Sequence, residues 1–523
     1  MKELIYHRHF LPAMRRYETK KAVIDGTYEA TFDQHADRVF RLVHALRHQC
    51  GLSSSDRFAV LARNSHTYLE LFHAAFLGGG VINPMNLRLS AKELSYIIRD
   101  SGAEVIFVDR HYAPLLALAL NEGTSFPIRQ SILIGDEDDG VFDFHYENLL
   151  AQAEPELPAE PDENDPVVLM YTGGTTGLPK GVLLTQRAKM LNQYHGRLAR
   201  PKMNDSSVSL IQTPMFHVAS TGALLSTYAV GGTTVIVPGF EPQLVMKEIE
   251  RNRVTSTTMV PTMIGMMLMH PAFEPAHLSS LEQLTYGASP MPLSLLDKLR
   301  KASPELELFQ GYGMTESSAS LTSLSPDDHR AGGERLRSVG QAVVGVELSI
   351  RNEDGIEVPR GEVGEVCAKG GNFMTEYWKK PEATQDVFRD GWYHTGDAGY
   401  LDDEEYLFLV DRVKDMIVTG GENVYSTEVE NAIASHPAVQ QVAVIGIPSE
   451  IWGEAVHAIV VTEDDASVSI EELTHHTRHL IAGYKVPKSI EIRTEPLPLS
   501  GAMKVLKRDL RAPYWQDHEK SIA

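Results

Sequence analysis

Cysteine is nearly absent from this chain: Cys50 and Cys367 are the only two in 523 residues, far apart and without metal-ligand spacing. That argues against a disulfide framework and a cysteine-built zinc site, and it fits a reducing compartment. No apolar run is long enough to cross a membrane, since the Met-rich stretch 259–269 is short and broken by Pro261 and Gly265. A signal region is missing too, because residues 1–16 carry charges and histidines where an apolar core would be needed. The chain ends Lys-Ser-Ile-Ala rather than in the peroxisomal Ser-Lys-Leu, so the cytoplasm is the expected location. Positive charge is also scarce: 48 Lys and Arg against 70 Asp and Glu give a net charge of −22, which disfavours nucleic acid or an anionic membrane as partner. Repeats, heptads and low-complexity tracts are lacking.

What remains is an ordinary globular composition, 43% hydrophobic and 23% charged, in a chain too long for one core. The pattern alternates helices and strands: 31–49, 66–77 and 91–101 read as helices, 58–61 and 105–108 as strands, with the second helix stopping at Gly78-Gly79-Gly80. Residues 209–213, 235–237, 242–252 and 256–260 continue in βαβ fashion, and 400–410 reads as a hairpin with acidic turn residues. This order predicts α/β layers with mostly parallel sheets. The character changes near Asp411, after which a compact α+β unit follows. Thr427 with Glu430 predicts a capping box for one helix there, and Ser469 with Glu472 caps another. The expected organisation is a large, multi-lobed N-terminal α/β domain, 1–411, and a small C-terminal α+β domain, 412–523.

The stretch that organises the chain is Tyr171-Thr172-Gly173-Gly174-Thr175-Thr176-Gly177-Leu178-Pro179-Lys180-Gly181, between a strand and a helix at 186–197. Glycines bring backbone N–H groups close to a ligand, and threonine hydroxyls and an ammonium add donors for phosphate oxygens. Lys180 lies between proline and glycine, so this is not a Walker A loop. A second segment, Gln310-Gly311-Tyr312-Gly313-Met314-Thr315-Glu316, offers space for a planar ligand, a stacking face, a hydroxyl and a metal-binding carboxylate. A third, Tyr286-Gly287-Ala288-Ser289-Pro290, has the small residues that let backbone lie along a ring. In Gly391-Trp392-Tyr393-His394-Thr395-Gly396-Asp397 one carboxylate follows a tight turn, suited to accepting from two vicinal hydroxyls.

Together these segments resemble the adenylate-forming superfamily, which includes acyl-CoA synthetases, aryl-CoA ligases, firefly luciferase and the adenylation domains of peptide synthetases. The likeness runs in the family's order over essentially the whole chain. It implies ATP, Mg2+ and coenzyme A as co-substrates and cofactors, with a small-molecule carboxylic acid as the partner. The loop Thr172, Gly173, Gly174, Thr175, Thr176, Gly177 and Lys180 would hold the phosphates. Gly287, Ala288 and Ser289, with Gln310, Gly311, Tyr312, Gly313 and Met314, would line the adenine site. Thr315 would reach the α-phosphate, Glu316 the metal, and Asp397 and Arg412 the ribose. Lys414 falls at the family's hinge, which makes the small domain mobile, and Gly420-Gly421 would line the pantetheine tunnel.

Lys504, in Pro498-Leu499-Ser500-Gly501-Ala502-Met503-Lys504, matches the family's catalytic lysine, although Met503 stands where many members have glycine. Lys485 and Lys488 are candidates for the phosphates of coenzyme A, while Lys507, Arg508 and Arg511 read as a solvated helix face. His217 alone reads as a core histidine, but the resemblance puts it beside the acyl carboxylate. Residues 218–222, 259–267 and 317–321 would wall the acyl pocket, or in the Met-rich case form plain core. The expected activity is ATP-dependent acyl-CoA ligation of a medium- to long-chain fatty acid via acyl-AMP. Aryl or phenylpropenoic acids come second, steroid side-chain acids behind them, and transfer to a carrier protein, a luciferase-like oxidation or a non-enzymatic sensor are the alternatives. No carrier domain follows residue 523, and a homodimer is allowed for rather than derived.

Overall fold

The computed structural model describes residues 4–122, 125–135, 140–157, 159–172, 178–200, 202–412, 416–419, 422–449, 451–462, 468–501 and 503–516. Two large sheets, with helices packed between and around them, make most of the N-terminal unit. One has nine strands, in the order Gln341–Ala342, Thr322–Leu324, Glu307–Tyr312, Gln283–Gly287, Ser256–Met259, Val208–Ile211, Thr233–Ile236, Lys21–Asp25 and Tyr28–Thr31, parallel in its centre and antiparallel at both edges. The other has eight strands, with Pro166–Thr172 between Lys180–Thr185 and Val81–Pro84. A smaller antiparallel sheet contains Gly364–Gly370, Trp392–Leu401 and Leu407–Arg412. The expected hairpin is there, its turn closed by Asp402 accepting from Glu404 and Tyr406 backbone N–H groups.

Local signals account for the helices around these sheets. Thr31 and Gln34 close a capping box on Phe32–His44, and Ser90 with Glu93 does the same for Ala91–Ser101, which ends on left-handed Gly102. The Thr185 side chain accepts from Ala188 N–H to start Gln186–Ala199. Between the sheets Phe10, Phe32, Phe72, Phe76 and Tyr228 are all within 1% of full burial and form the largest apolar cluster.

The parallel strands place the chemistry. Gln283–Gly287, Glu307–Tyr312, Ser256–Met259 and Val208–Ile211 run side by side, so the segments that follow their C-terminal ends open on one crevice, as open parallel sheets do.

The C-terminal unit is built on a fourth sheet, in which Gly453–Thr462 lies between Val439–Ser449 and Ser489–Arg493. Its helix Ile470–Leu480 is capped by Ser469, as expected. The expected capping box of Thr427 and Glu430 is not formed. The helix spans Ser426–Ala434, so both residues lie inside it, and Tyr425 precedes it without a side-chain cap. Glu430 instead accepts from Val444 N–H at 2.8 Å and pairs with Lys507 at 2.7 Å. Lys507 is therefore no solvated residue: its ammonium is tied to Glu430 and to Ser426 Oγ. Among the described residues no helix is long and apolar enough to cross a membrane.

These bonds separate two variants. Thr427→Ala is expected to change stability by less than about 0.5 kcal/mol, where loss of a true cap costs about 1 kcal/mol. Glu430→Ala removes a charged hydrogen bond and an ion pair and is expected to cost about 2 kcal/mol, read as a lower urea midpoint.

Candidate active site

The two units enclose one cleft of about 2480 Å³. Its wall includes Thr172, Lys180, His217, Gly287, Ala288, Ser289, Gln310, Gly311, Tyr312, Gly313, Met314, Thr315, Glu316 and Asp397 from the N-terminal unit, and Lys504 from the C-terminal one. Most of the residues singled out in the sequence thus share one space. Gly173, Gly174, Thr175, Thr176, Gly177, Lys414, Gly420 and Gly421 lie outside the described residues.

The stems of the glycine-threonine loop are fixed. Thr172 and Lys180 are cross-strand partners, and the Thr172 hydroxyl donates to the Lys180 carbonyl at 3.4 Å. The Lys180 ammonium stands 4.8 Å from the centre of the Tyr377 ring, and the Tyr377 hydroxyl donates to Glu316 Oε1 at 2.8 Å. Tyr377 therefore links the loop's lysine to the carboxylate. Glu316 is a buried oxygen donor on the cleft wall, the ligand type a magnesium ion takes, so the residues present fit such an ion.

Next to it, the Tyr312 hydroxyl donates to Asp397 Oδ2 at 2.6 Å, which joins two segments far apart in sequence. Asp397 is held by Thr395, whose hydroxyl accepts from its N–H and donates to the Val366 carbonyl. Arg412 is the cross-strand partner of Asp397. Gly287 and Gly311 are paired across parallel strands, and a Cβ on Gly287 would overlap the Gly311 carbonyl oxygen. Ala288, Ser318 and Ala319 hold positive φ of 67°, 58° and 114°, which costs non-glycine residues about 1 kcal/mol or more each.

His217 follows the strand Val208–Ile211 through a turn in which its N–H donates to the Pro214 carbonyl. It caps the helix Val218–Ala229, with Nδ1 accepting from Ala219 N–H at 3.3 Å. That assigns the remaining proton to Nε2. Burial, and then the ammonium of Lys504, pull the His217 pKa down to about 3, so the ring is neutral at physiological pH.

Lys504 is delivered by a short loop in which Ser500 N–H donates to the Lys504 carbonyl and Lys504 N–H to Ser500 Oγ. The loop docks on the N-terminal unit: Arg88 Nη1 donates to the Ser500 carbonyl at 2.9 Å, and the Thr262 hydroxyl to the Met503 carbonyl at 3.3 Å. Met503 has a φ of 61°, the left-handed region that glycine adopts freely, at a cost of about 1–2 kcal/mol for other residues. Its sulfur accepts from Arg88 Nη2 at 3.5 Å and its side chain packs on the second apolar cluster, which offsets part of that cost.

Other expectations divide. Met263 and Met267 are core, Met259 is a core residue that borders the cleft, and Met266 and Met269 line the cleft and are partly exposed. The Lys485 ammonium is held by both oxygens of Glu428 at 2.7 Å and does not reach the cleft wall. Sequence reading missed Arg88, Tyr377 and a polar row on the helix Gln186–Ala199. None belongs to a motif, and only their partners across the fold give them a role.

Comparisons with known proteins identify the family. The profile described as AMP-binding enzyme matches residues 10–378, and that described as AMP-binding enzyme C-terminal domain matches residues 428–504. The chain is 37% identical to a feruloyl-CoA synthase of Amycolatopsis, over 94% of this chain and 95% of that one. It is 35% identical to a long-chain fatty-acid–CoA ligase of Mycobacterium tuberculosis, over 96% of each. The crystal structure of an anthranilate CoA ligase with anthranoyl-AMP superposes with a TM-score of 0.89 at 26% identity, covering 98% of this chain and 97% of that one.

The neutral state of His217 has a sign that can be tested. Its folded pKa lies below the unfolded value of about 6.5, so its contribution to stability is fully present above that pH and is lost as pH falls towards about 3. Below pH 6.5 the loss approaches about 1.4 kcal/mol per pH unit for this one proton. His217→Gln is expected to make the fall in unfolding free energy between pH 6.5 and 5 shallower, measured by urea titration at each pH.

Proposed function

This chain belongs to the AMP-binding enzyme family as an acyl-CoA ligase, and on that premise we propose how its cleft works and which acids it takes. The observation that carries the reading is the convergence of Lys504, His217, Tyr312, Glu316 and Asp397 on one wall, supplied by both units.

In the first half-reaction a carboxylate oxygen attacks the α-phosphorus of ATP, the bond to the pyrophosphate oxygen breaks, and an acyl adenylate forms. Neutral His217 donates from Nε2 to the carboxylate without adding a charge that would weaken the nucleophile. Lys504 neutralises the oxygens gathering charge between acid and phosphate, with Thr315 adding a hydroxyl. Asp397, oriented by Tyr312 and Thr395, accepts from the ribose hydroxyls. Glu316 would hold a magnesium ion, which neutralises phosphate charge when bound.

In the second half-reaction the thiol of coenzyme A attacks the acyl carbonyl and AMP leaves. We divide the units at Asp411, into 1–411 and 412–523, with Lys414 as the hinge that withdraws Lys504 and brings in Gly420-Gly421. Lys485 and Lys488 are assigned to the coenzyme A phosphates in that second arrangement, and the reaction to the cytoplasm.

Two acid classes compete. A fatty acid needs an apolar wall along its whole length, and Met259, Met266 and Met269 supply part of one. An aryl acid comes first in our reading, because Asn192, Gln193 and Arg200 also line the cleft, and an alkyl end would strip water from them without replacing it.

The test is AMP release with Mg-ATP and coenzyme A across aryl, arylpropenoic and fatty acids; release with no acid at all would overturn the reading. Lys504→Ala is expected to lower acid-dependent pyrophosphate release by about 100- to 1000-fold, while conversion of a supplied acyl adenylate by coenzyme A falls far less. Equal loss of both half-reactions would refute the assignment of Lys504 to the first.

A further inference from the structure

The helix Gln186–Ala199 turns Asn192, Gln193 and Gly196 to the cleft, and Arg200 follows as its C-terminal cap residue. Asn192 and Gln193 are 4% and 9% exposed, yet neither Asn192 Oδ1 nor Gln193 Nε2 has a hydrogen-bond partner among the described residues. The Arg200 side chain folds back along the helix, donating from Nε to the Gly196 carbonyl at 3.3 Å and from Nη1 to Thr285 Oγ1 at 3.4 Å. Gly196 makes room for this: a Cβ there would lie 2.9 Å from Arg200 Nη2.

Among the described residues Arg200 has no carboxylate partner, and burial alone moves its pKa, downward from the usual guanidinium range. Arg38 shows the ordinary solution elsewhere in this fold, pairing with both Glu70 and Glu147. Among the described residues, a half-buried charge without a counterion and two buried unpaired amide atoms are each costly, so clustering them on one cleft wall makes sense for a wall completed by a ligand.

The donor and acceptor pattern specifies that ligand. Arg200 and Gln193 Nε2 present donors, whereas Asn192 Oδ1 presents an acceptor. A carboxylate would satisfy the first two and face the third lone pair to lone pair. A hydroxyl accepts and donates at once and satisfies all three.

Resting on the reading that the acid's carboxylate lies at His217 and Lys504, we propose that Arg200, Asn192 and Gln193 form a specificity site for a hydroxyl group at the end of an aryl acid remote from its carboxylate.

The experiment measures kcat/KM for AMP release with hydroxylated and unhydroxylated acids paired at two lengths, 4-hydroxybenzoate with benzoate and 4-hydroxycinnamate with cinnamate. The corresponding 4-carboxy acids and decanoate complete the panel. The wild-type enzyme is expected to favour the hydroxylated member of one pair by about ten- to a hundred-fold. In Arg200→Met that ratio falls towards one, chiefly through KM, and in Arg200→Lys part of it returns. Asn192→Leu, which leaves the guanidinium in place, lowers the same ratio independently. A ratio near one in the wild type, a ratio unchanged in Arg200→Met, or loss of both members of the pair in equal proportion would each overturn the proposal. Preference for the 4-carboxy acid would overturn the hydroxyl in favour of an anion. Decanoate used as well as any aryl acid leaves the ligase reading standing and removes this one, whereas no AMP with any acid removes both.

Discussion

The cleft depends on one close approach of backbone to backbone. Gly287 and Gly311 end adjacent parallel strands so near each other that no side chain fits on Gly287 facing the Gly311 carbonyl. A flat wall of main chain results, with Ala288 pushed to positive φ beside it and Tyr312 carried one residue beyond. From that position the Tyr312 hydroxyl reaches Asp397, which fixes the third sheet against the first. The ligand-facing carboxylate, the aromatic face and the small-residue wall are thus set by a single constraint on Gly287.

A second arrangement holds the lysine in place. Arg88 grips the carbonyls of Leu499 and Ser500, and Gly501 packs directly on Asn86, so the N-terminal unit positions the loop from two sides. Met503 sits in the conformation a glycine would adopt without cost, and its contacts with Arg88 and the apolar cluster exist only while the loop is docked. Strain and contact oppose each other here.

Much of this was legible in the sequence because the signals were local. Capping residues, terminal glycines and the period of apolar positions located Phe32–His44, Ala91–Ser101, Pro242–Asn252 and the strands around them within a few residues. The chemistry-bearing segments were legible since each needs particular residue types at fixed spacing. Thr427 and Glu430 misled for the same reason: the spacing of a capping box is local, but Glu430 found better partners in Val444 N–H and Lys507, which only the folded chain brings near. Lys507, in a basic run, looked solvated until that partner was in view. Arg200 lies outside every motif; its meaning rests on what is missing around it.

The net charge of −22 makes binding of polyanions a local problem. At physiological ionic strength exposed charges are screened beyond roughly 8 Å, so the protein's overall acidity acts weakly on a ligand inside the cleft. Donors within hydrogen-bond reach act strongly there, because water is partly excluded. Lys180 and Lys504 therefore outweigh many distant carboxylates, and their own partners matter more than the charge total. Lys180 rests on an aromatic face rather than in a tight ion pair with Glu316, so its ammonium stays available to a phosphate while Tyr377 satisfies the carboxylate. Arg200 follows the same logic at the other end of the substrate. Among the described residues its guanidinium meets a backbone carbonyl and a threonine hydroxyl but no carboxylate, in a chain rich in carboxylates, which leaves its charge for a ligand to meet.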